Sequence, residues 1–222
     1  MLTAPDLDGI PHGFSTREEL SLGRVLAGAP LVTARQVHSA EVLTVREPWD
    51  GPLPEADALV TDRRGLLIGV VTADCAPVLL ADREAGVVGA AHAGWRGAIG
   101  GVLENAVAAM ELLGAGRDRI VAAVGPTIAQ ASYEVDATFY EQLVDHDPAN
   151  IDLLTRGSPG RFQFDLPGYV IRRLLFGAGV RTVHNLEEDT YTQADRFFSF
   201  RRATHRGEPT GGRQISVIGI SE

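Results

Sequence analysis

Gly69-Val70-Val71-Thr72-Ala73-Asp74-Cys75-Ala76-Pro77-Val78-Leu79-Leu80-Ala81-Asp82, followed closely by Val87-Val88-Gly89-Ala90-Ala91-His92-Ala93-Gly94-Trp95-Arg96-Gly97, is the stretch that decides the fold. Its apolar runs, 66–72, 78–81 and 87–91, are continuous rather than alternating and too short for buried helices. They read as central strands covered on both faces. Gly65 and Gly86 punctuate them as turn residues. Cys75 and His92 each stand where an apolar run meets polar or glycine-rich residues, which is where a sheet delivers side chains to a cleft.

Working outward, β-branched residues at 32–37, 42–46 and 58–62 predict further strands, separated by turns at Pro52 and Pro54. After Gly101, the recurrence of Val102, Ala106, Ala109, Met110 and Leu113 predicts a helix with its stripe on the sheet, stopped by Gly114 and Gly116. A strand at 120–124 ends at Gly125-Pro126. A helix beginning near Asp136 carries Phe139, Tyr140 and Leu143, and Pro167 opens a last helix with Val170, Ile171, Leu174 and Leu175 on its buried side. Strands are expected again at 197–200 and 214–220, with 203–212 as an exposed hairpin connection. Clustered strands with only three helices predict an α+β (layered α/β) fold, a single domain over 1–222 with a mixed β-sheet flanked by helices.

The 222 residues, 45% of them hydrophobic, suffice for a full core in one domain. A net charge of −9 argues against nucleic-acid and anionic-membrane partners, which require a broad basic face. The first residues lack a basic segment leading into an apolar one, and no run reaches membrane-span length, so the expected location is cytoplasmic. A single cysteine excludes an intramolecular disulfide framework. Cys75 is therefore a packed residue, a nucleophile or a metal ligand.

His38, Cys75 and His92 together form a three-donor set suited to zinc with one open position. Their separations are not of the compact Cys-x-x-Cys kind, and by type and spacing alone a packed cysteine and a loop histidine fit as well. Asp74, beside Cys75, is a candidate for orienting a ligand or moving a proton. Gly94-Trp95-Arg96-Gly97, leading into a helix, offers backbone N–H groups to an anion. No dinucleotide-binding or P-loop glycine pattern occurs.

Gln36-Val37-His38, Asp57-Ala58-Leu59-Val60-Thr61, Thr72-Ala73-Asp74-Cys75-Ala76-Pro77, His92-Ala93-Gly94-Trp95-Arg96-Gly97, Gly125-Pro126, Tyr133-Glu134-Val135 and Phe197-Phe198-Ser199-Phe200-Arg201-Arg202 follow one another along nearly the whole chain. In that order they resemble the laccase-domain, or multicopper polyphenol oxidase-like, family, whose bacterial members are described as purine nucleoside phosphorylases and as peptidoglycan editing factors. The resemblance implies a zinc held by His38, Cys75 and His92. It also implies phosphorolysis of adenosine, inosine, guanosine and methylthioadenosine, with adenosine deamination beside it. Purine nucleosides and phosphate are then the partners, and Arg35, Arg96, Arg201 and Arg202 are candidates to hold the phosphate. Cys75, Asp74 and His92 are the expected catalytic groups, with Asp74 passing protons between an activated water and the purine.

The chain departs from the family pattern in a shortened segment between His12 and Val32, in Thr127, Ser132 and Tyr191 where relatives often carry cysteines, and in Arg35 where a lysine is expected. The chain has six histidines, and His12, His146, His184 and His205 lie apart from the proposed set with no His-x-His pair, so a multicopper cluster is not expected. A single copper fits a His2Cys set and stands as an alternative, as in a single-copper polyphenol oxidase. A second alternative is a cysteine or amide hydrolase acting on a peptidoglycan precursor, with Cys75 as nucleophile, His92 as base and Asp74 or another carboxylate as orienter. A third is a metal-binding protein without catalysis.

Overall fold

A computed structural model describes residues 1–221. The apolar stretch forms the middle of a six-stranded mixed sheet, ordered Thr182–Asn185, Val121–Val124, Ala76–Asp82, Val87–Ala93, Ala58–Thr61, Val42–Thr44. Its inner pairings are antiparallel and its two outermost are parallel. A second sheet, ordered His12–Phe14, Gln214–Gly219, Leu67–Thr72, Leu31–Val32, lies against one face of the first.

Side-chain alternation explains why the central runs are apolar throughout. Val78, Leu80, Val60 and Ala91 face one core, packed under helix Val102–Leu112 through Val102, Leu103, Ala106, Val107 and Met110. Leu79, Ala81, Leu59 and Ala90 face the other, against Phe14, Ile68, Val70 and Ile218 of the second sheet. Burying one such aliphatic side chain contributes about 1.5–3 kcal/mol, so the doubly covered hairpin 76–93 anchors the molecule. The mixed sheet expected from sequence is this six-stranded one. The second sheet, which hides its other face, is additional.

The three predicted helices are present, the latter two with side-chain caps. Asp136 accepts from the Phe139 N–H (2.9 Å) at the start of Ala137–His146. Asp165 caps Leu166–Arg172, with Pro167 in its first turn, and that helix continues through a π-helical turn, Arg173–Gly177. The helix after Gly101 has a forerunner, Trp95–Gly100, and Gly101 joins the two at φ 95°, a conformation that favours glycine.

Three expectations are corrected. Of the run 32–37 only Val32 is in a strand, Leu31–Val32, because the chain then leaves the sheet to carry His38. The strand expected at 197–200 is instead the entry to helix Phe200–Arg206. Ser199 Oγ accepts from the Arg202 N–H (3.1 Å) and the Asp74 carboxylate from the Arg201 N–H (2.7 Å), which starts the helix there. The loop expected over 203–212 therefore begins only at Gly207, and it connects a helix, not a hairpin, to Gln214–Gly219. Among the described residues no helix is long and apolar enough to cross a membrane.

Candidate metal centre

Cys75 and His92 lie at one end of the antiparallel pair Ala76–Asp82 and Val87–Ala93, where Pro77 stands opposite His92 and Ala76 opposite Ala93. His38 arrives from an exposed loop at φ 61°. The donor atoms of the three all lie within 4.8 Å of one another, and Cys75 Sγ is 3.9 Å from His38 Nε2.

One carboxylate, which the sequence reading did not single out, organises this cluster. Asp57, fully buried at the start of Ala58–Thr61, accepts from the backbone N–H groups of Val37 (3.2 Å), His38 (3.0 Å) and Ser39 (2.6 Å) and from Ser39 Oγ (2.8 Å). It also accepts from His92 Nδ1 at 2.8 Å, which leaves His92 Nε2 as the free donor. Burial alone would raise its pKa. The hydrogen bonds from His92, Ser39 and Val37 outweigh burial and hold the carboxyl well below its usual range. Gln36 ties the same loop to the second sheet, donating to the Val71 carbonyl (2.7 Å) and accepting from the Val71 N–H (2.8 Å).

The donor chemistry fits a metal. Burial opposes ionisation of Cys75, yet contacts with His38 and His92 bring its pKa down to about 7. His92 is pushed up to about 9, because its bond to Asp57 and the nearby thiolate overcome burial. Gly94 supplies independent support. A Cβ there would stand 3.0 Å from Cys75 Sγ and 3.1 Å from His38 Cδ2, so the space beside the cluster is kept open by a residue without a side chain.

The cluster opens into a cleft of about 570 Å³. Arg96 and Arg201 line it, each laid over an aromatic ring, Arg96 4.4 Å from the centre of Trp95 and Arg201 5.2 Å from that of Tyr133. Arg201 is braced by a bond to the Glu134 carbonyl (2.7 Å). Burial, and then the neighbouring Cys75 thiolate, push the Tyr133 phenol up so that it stays neutral. Thr72 Oγ1 is buried in the lining with no partner among the described residues.

Asp74 also lines the cleft, at φ 87°, but both its oxygens are engaged. Oδ1 accepts from Thr190 Oγ1 (2.7 Å) and Oδ2 from the Arg201 N–H. The remaining predicted arginines are elsewhere. Arg35 is exposed and paired with Glu55. Arg202 is buried, 6% exposed, and donates to the carbonyls of Thr190, Tyr191 and Phe197.

Three donors compatible with a metal ion, with one side left open to a substrate-sized cleft, are the arrangement of an enzyme's metal site. Residues 15–221 match the family described as multi-copper polyphenol oxidoreductase laccase, and the chain belongs to that family. It is 36% identical to a purine nucleoside phosphorylase of Deinococcus radiodurans, over 99% of this chain and 92% of that one. It is 37% identical to the adenosine deaminase RL5 of an unknown prokaryotic organism, over 78% and 70% of the two chains. Among solved structures, YlmD from Geobacillus stearothermophilus superposes with a TM-score of 0.84 at 28% identity, covering 99% of this chain and 94% of that one.

Proposed function

We propose that the chain is a zinc-dependent purine nucleoside phosphorylase of broad specificity. It converts adenosine, inosine, guanosine and methylthioadenosine to free base and the corresponding ribose 1-phosphate, and deaminates adenosine as a second activity. The carrying observation is that Arg96 and Arg201 share one cleft with the His38, Cys75 and His92 donors. The relatives named for each activity support the reading.

In phosphorolysis a phosphate oxygen bonds to the anomeric carbon while the bond to the purine nitrogen breaks, its electron pair leaving with the base, which then takes up a proton. Arg96 and Arg201, pre-set by stacking on Trp95 and Tyr133, hold the phosphate oxygens. Trp95, Tyr133 and Phe200 offer faces for a purine, and Thr72 Oγ1 a hydroxyl for a substrate oxygen. When bound to His38, Cys75 and His92, zinc supplies a Lewis acid and an activated water for deamination. Asp57 fixes the His92 tautomer and the His38 loop. Asp74, with both oxygens committed, positions Arg201 through its backbone instead of carrying protons.

The test is product analysis of adenosine and inosine with zinc-loaded protein, with and without phosphate, against Cys75→Ala. Phosphate-dependent release of free base that vanishes in the variant is expected, and no turnover of either nucleoside would overturn the assignment. A second reading has its own observation: Cys75, His92 and Asp57 form the thiol, imidazole and carboxylate chain of a cysteine hydrolase. That reading requires amide cleavage by metal-free protein, inhibited by stoichiometric zinc, since a ligated thiolate cannot attack.

A further inference from the structure

Helix Phe200–Arg206 has two working faces. Phe200 and Arg201 line the metal-bearing cleft, whereas Ser199, Arg202, Ala203 and Arg206 line a separate cavity of about 380 Å³. Arg17, Phe198 and, from the segment 208–212, Glu208, Pro209, Thr210 and Gly212 complete its walls.

Three guanidinium groups converge on this cavity in a chain whose net charge is −9. Arg17 is fixed in place, donating to the Ala194 carbonyl (2.7 Å) and lying 4.6 Å over the ring of Phe198. Arg202 spends donors on carbonyl oxygens and has no carboxylate among those partners. Among the described residues Arg206 pairs with Glu208 alone, at 3.8 Å, and both side chains are more than half exposed, so that pairing neutralises little. Burial, followed by the nearby charge of Arg206 and of Arg17, drives the Arg202 guanidinium below the usual arginine range, with Asp74 and Glu208 opposing only in part. Such mutual repulsion among cations is relieved by an anion.

We propose that this cavity is a second anion site, for a phosphate group carried free or as a small phosphomonoester, separate from the metal-bearing cleft and joined to it by helix Phe200–Arg206. An anion bridging Arg17 and Arg206 ties the last turn of that helix to Arg17, across a cavity that the segment 208–212 also walls. The other end of the same helix presents Arg201 to the cleft, and Arg213, just beyond the segment, lines the cleft as well. Occupancy therefore biases the position of two cleft arginines, which makes the site an effector site. The proposal stands on the arginine geometry and does not depend on the phosphorylase reading.

The test is an amide NMR titration of the full chain with inorganic phosphate and, separately, with adenosine monophosphate, against chloride at matched ionic strength. Saturable shifts are expected at Ser199, Ala203 and Gly212, persisting in Arg96→Gln. In Arg17→Gln/Arg206→Gln the half-saturating concentration should rise about tenfold or more, as loss of charge-assisted hydrogen bonds implies. Tighter saturation by adenosine monophosphate assigns a phosphomonoester, and equal or weaker saturation assigns the free ion. Arg206→Gln alone, at an exposed residue, serves if the double variant does not fold. Shifts that chloride reproduces, shifts undiminished in both variants, or none at these amides overturn the proposal. Loss of nucleoside turnover in Arg96→Gln with these shifts intact would separate the two sites.

Discussion

Two of the three candidate metal donors and the third are positioned in different ways. Cys75 and His92 flank strands buried on both faces, in a register set by the pairing of Ala76 with Ala93, so burial of the hairpin fixes them. His38 rides an exposed loop with φ 61° and no strand pairing, and hydrogen bonds to Asp57, with those between the Gln36 side chain and the Val71 backbone, hold that loop. The sheet would bring two donors together whatever the loop did. The third depends on Asp57, which grips the loop and His92 at once.

Asp57→Ala is the largest expected perturbation of this contrast. It frees three backbone N–H groups and the His92 Nδ1–H, so metal affinity should fall by about 10–100-fold. Folding stability should fall by about 1–3 kcal/mol or more. Chelator competition and denaturant unfolding check the two effects, and unchanged affinity would show that the loop holds His38 unaided.

Gly94→Ala probes the rigid side, because its methyl group crowds Cys75 Sγ and His38 together. A loss of about 1–3 kcal/mol in zinc binding is expected, as for overpacking elsewhere, read by the same competition. A neutral result would mean that the loop gives way.

The same donors predict a pH dependence. Metal must displace a proton from Cys75, with pKa about 7, and one from His92, with pKa about 9, so apparent affinity should rise with pH across this window and fall below it. Calorimetry in buffers of different ionisation enthalpy measures the protons released, and a flat profile from pH 6 to 9 would exclude the pair as ligands.

Asp74→Ala should act most mildly on the cluster. It removes the bond to the Arg201 N–H at the start of helix Phe200–Arg206, costing about 1 kcal/mol, and should raise the KM for phosphate while zinc content stays unchanged. Loss of zinc instead would place Asp74 in the metal centre.

The same division governs what the sequence discloses. The central strands are legible because burial on both faces leaves unbroken apolar runs, and Cys75 and His92 are visible at the ends of those runs. Asp57 is not, although an aspartate opening an apolar strand is a signal, because its partners come from residues 37–39 and from His92, distant in the chain. Phe197-Phe198-Ser199-Phe200 reads as a strand until Asp74, 127 positions away, starts a helix there, even though Ser199 is a recognisable cap. Residue type cannot separate Arg96 and Arg201, which line the cleft, from Arg35, which pairs with Glu55, or Arg202, which knits backbone carbonyls. Only tertiary partners sort them.

Metal-edge X-ray absorption of the protein loaded with one equivalent of zinc reads the ligands of the ion themselves. One sulfur and two imidazole nitrogens, from Cys75, His38 and His92, with one further light atom are expected around the zinc. A shell without sulfur, or with a single imidazole, would contradict this ligand set.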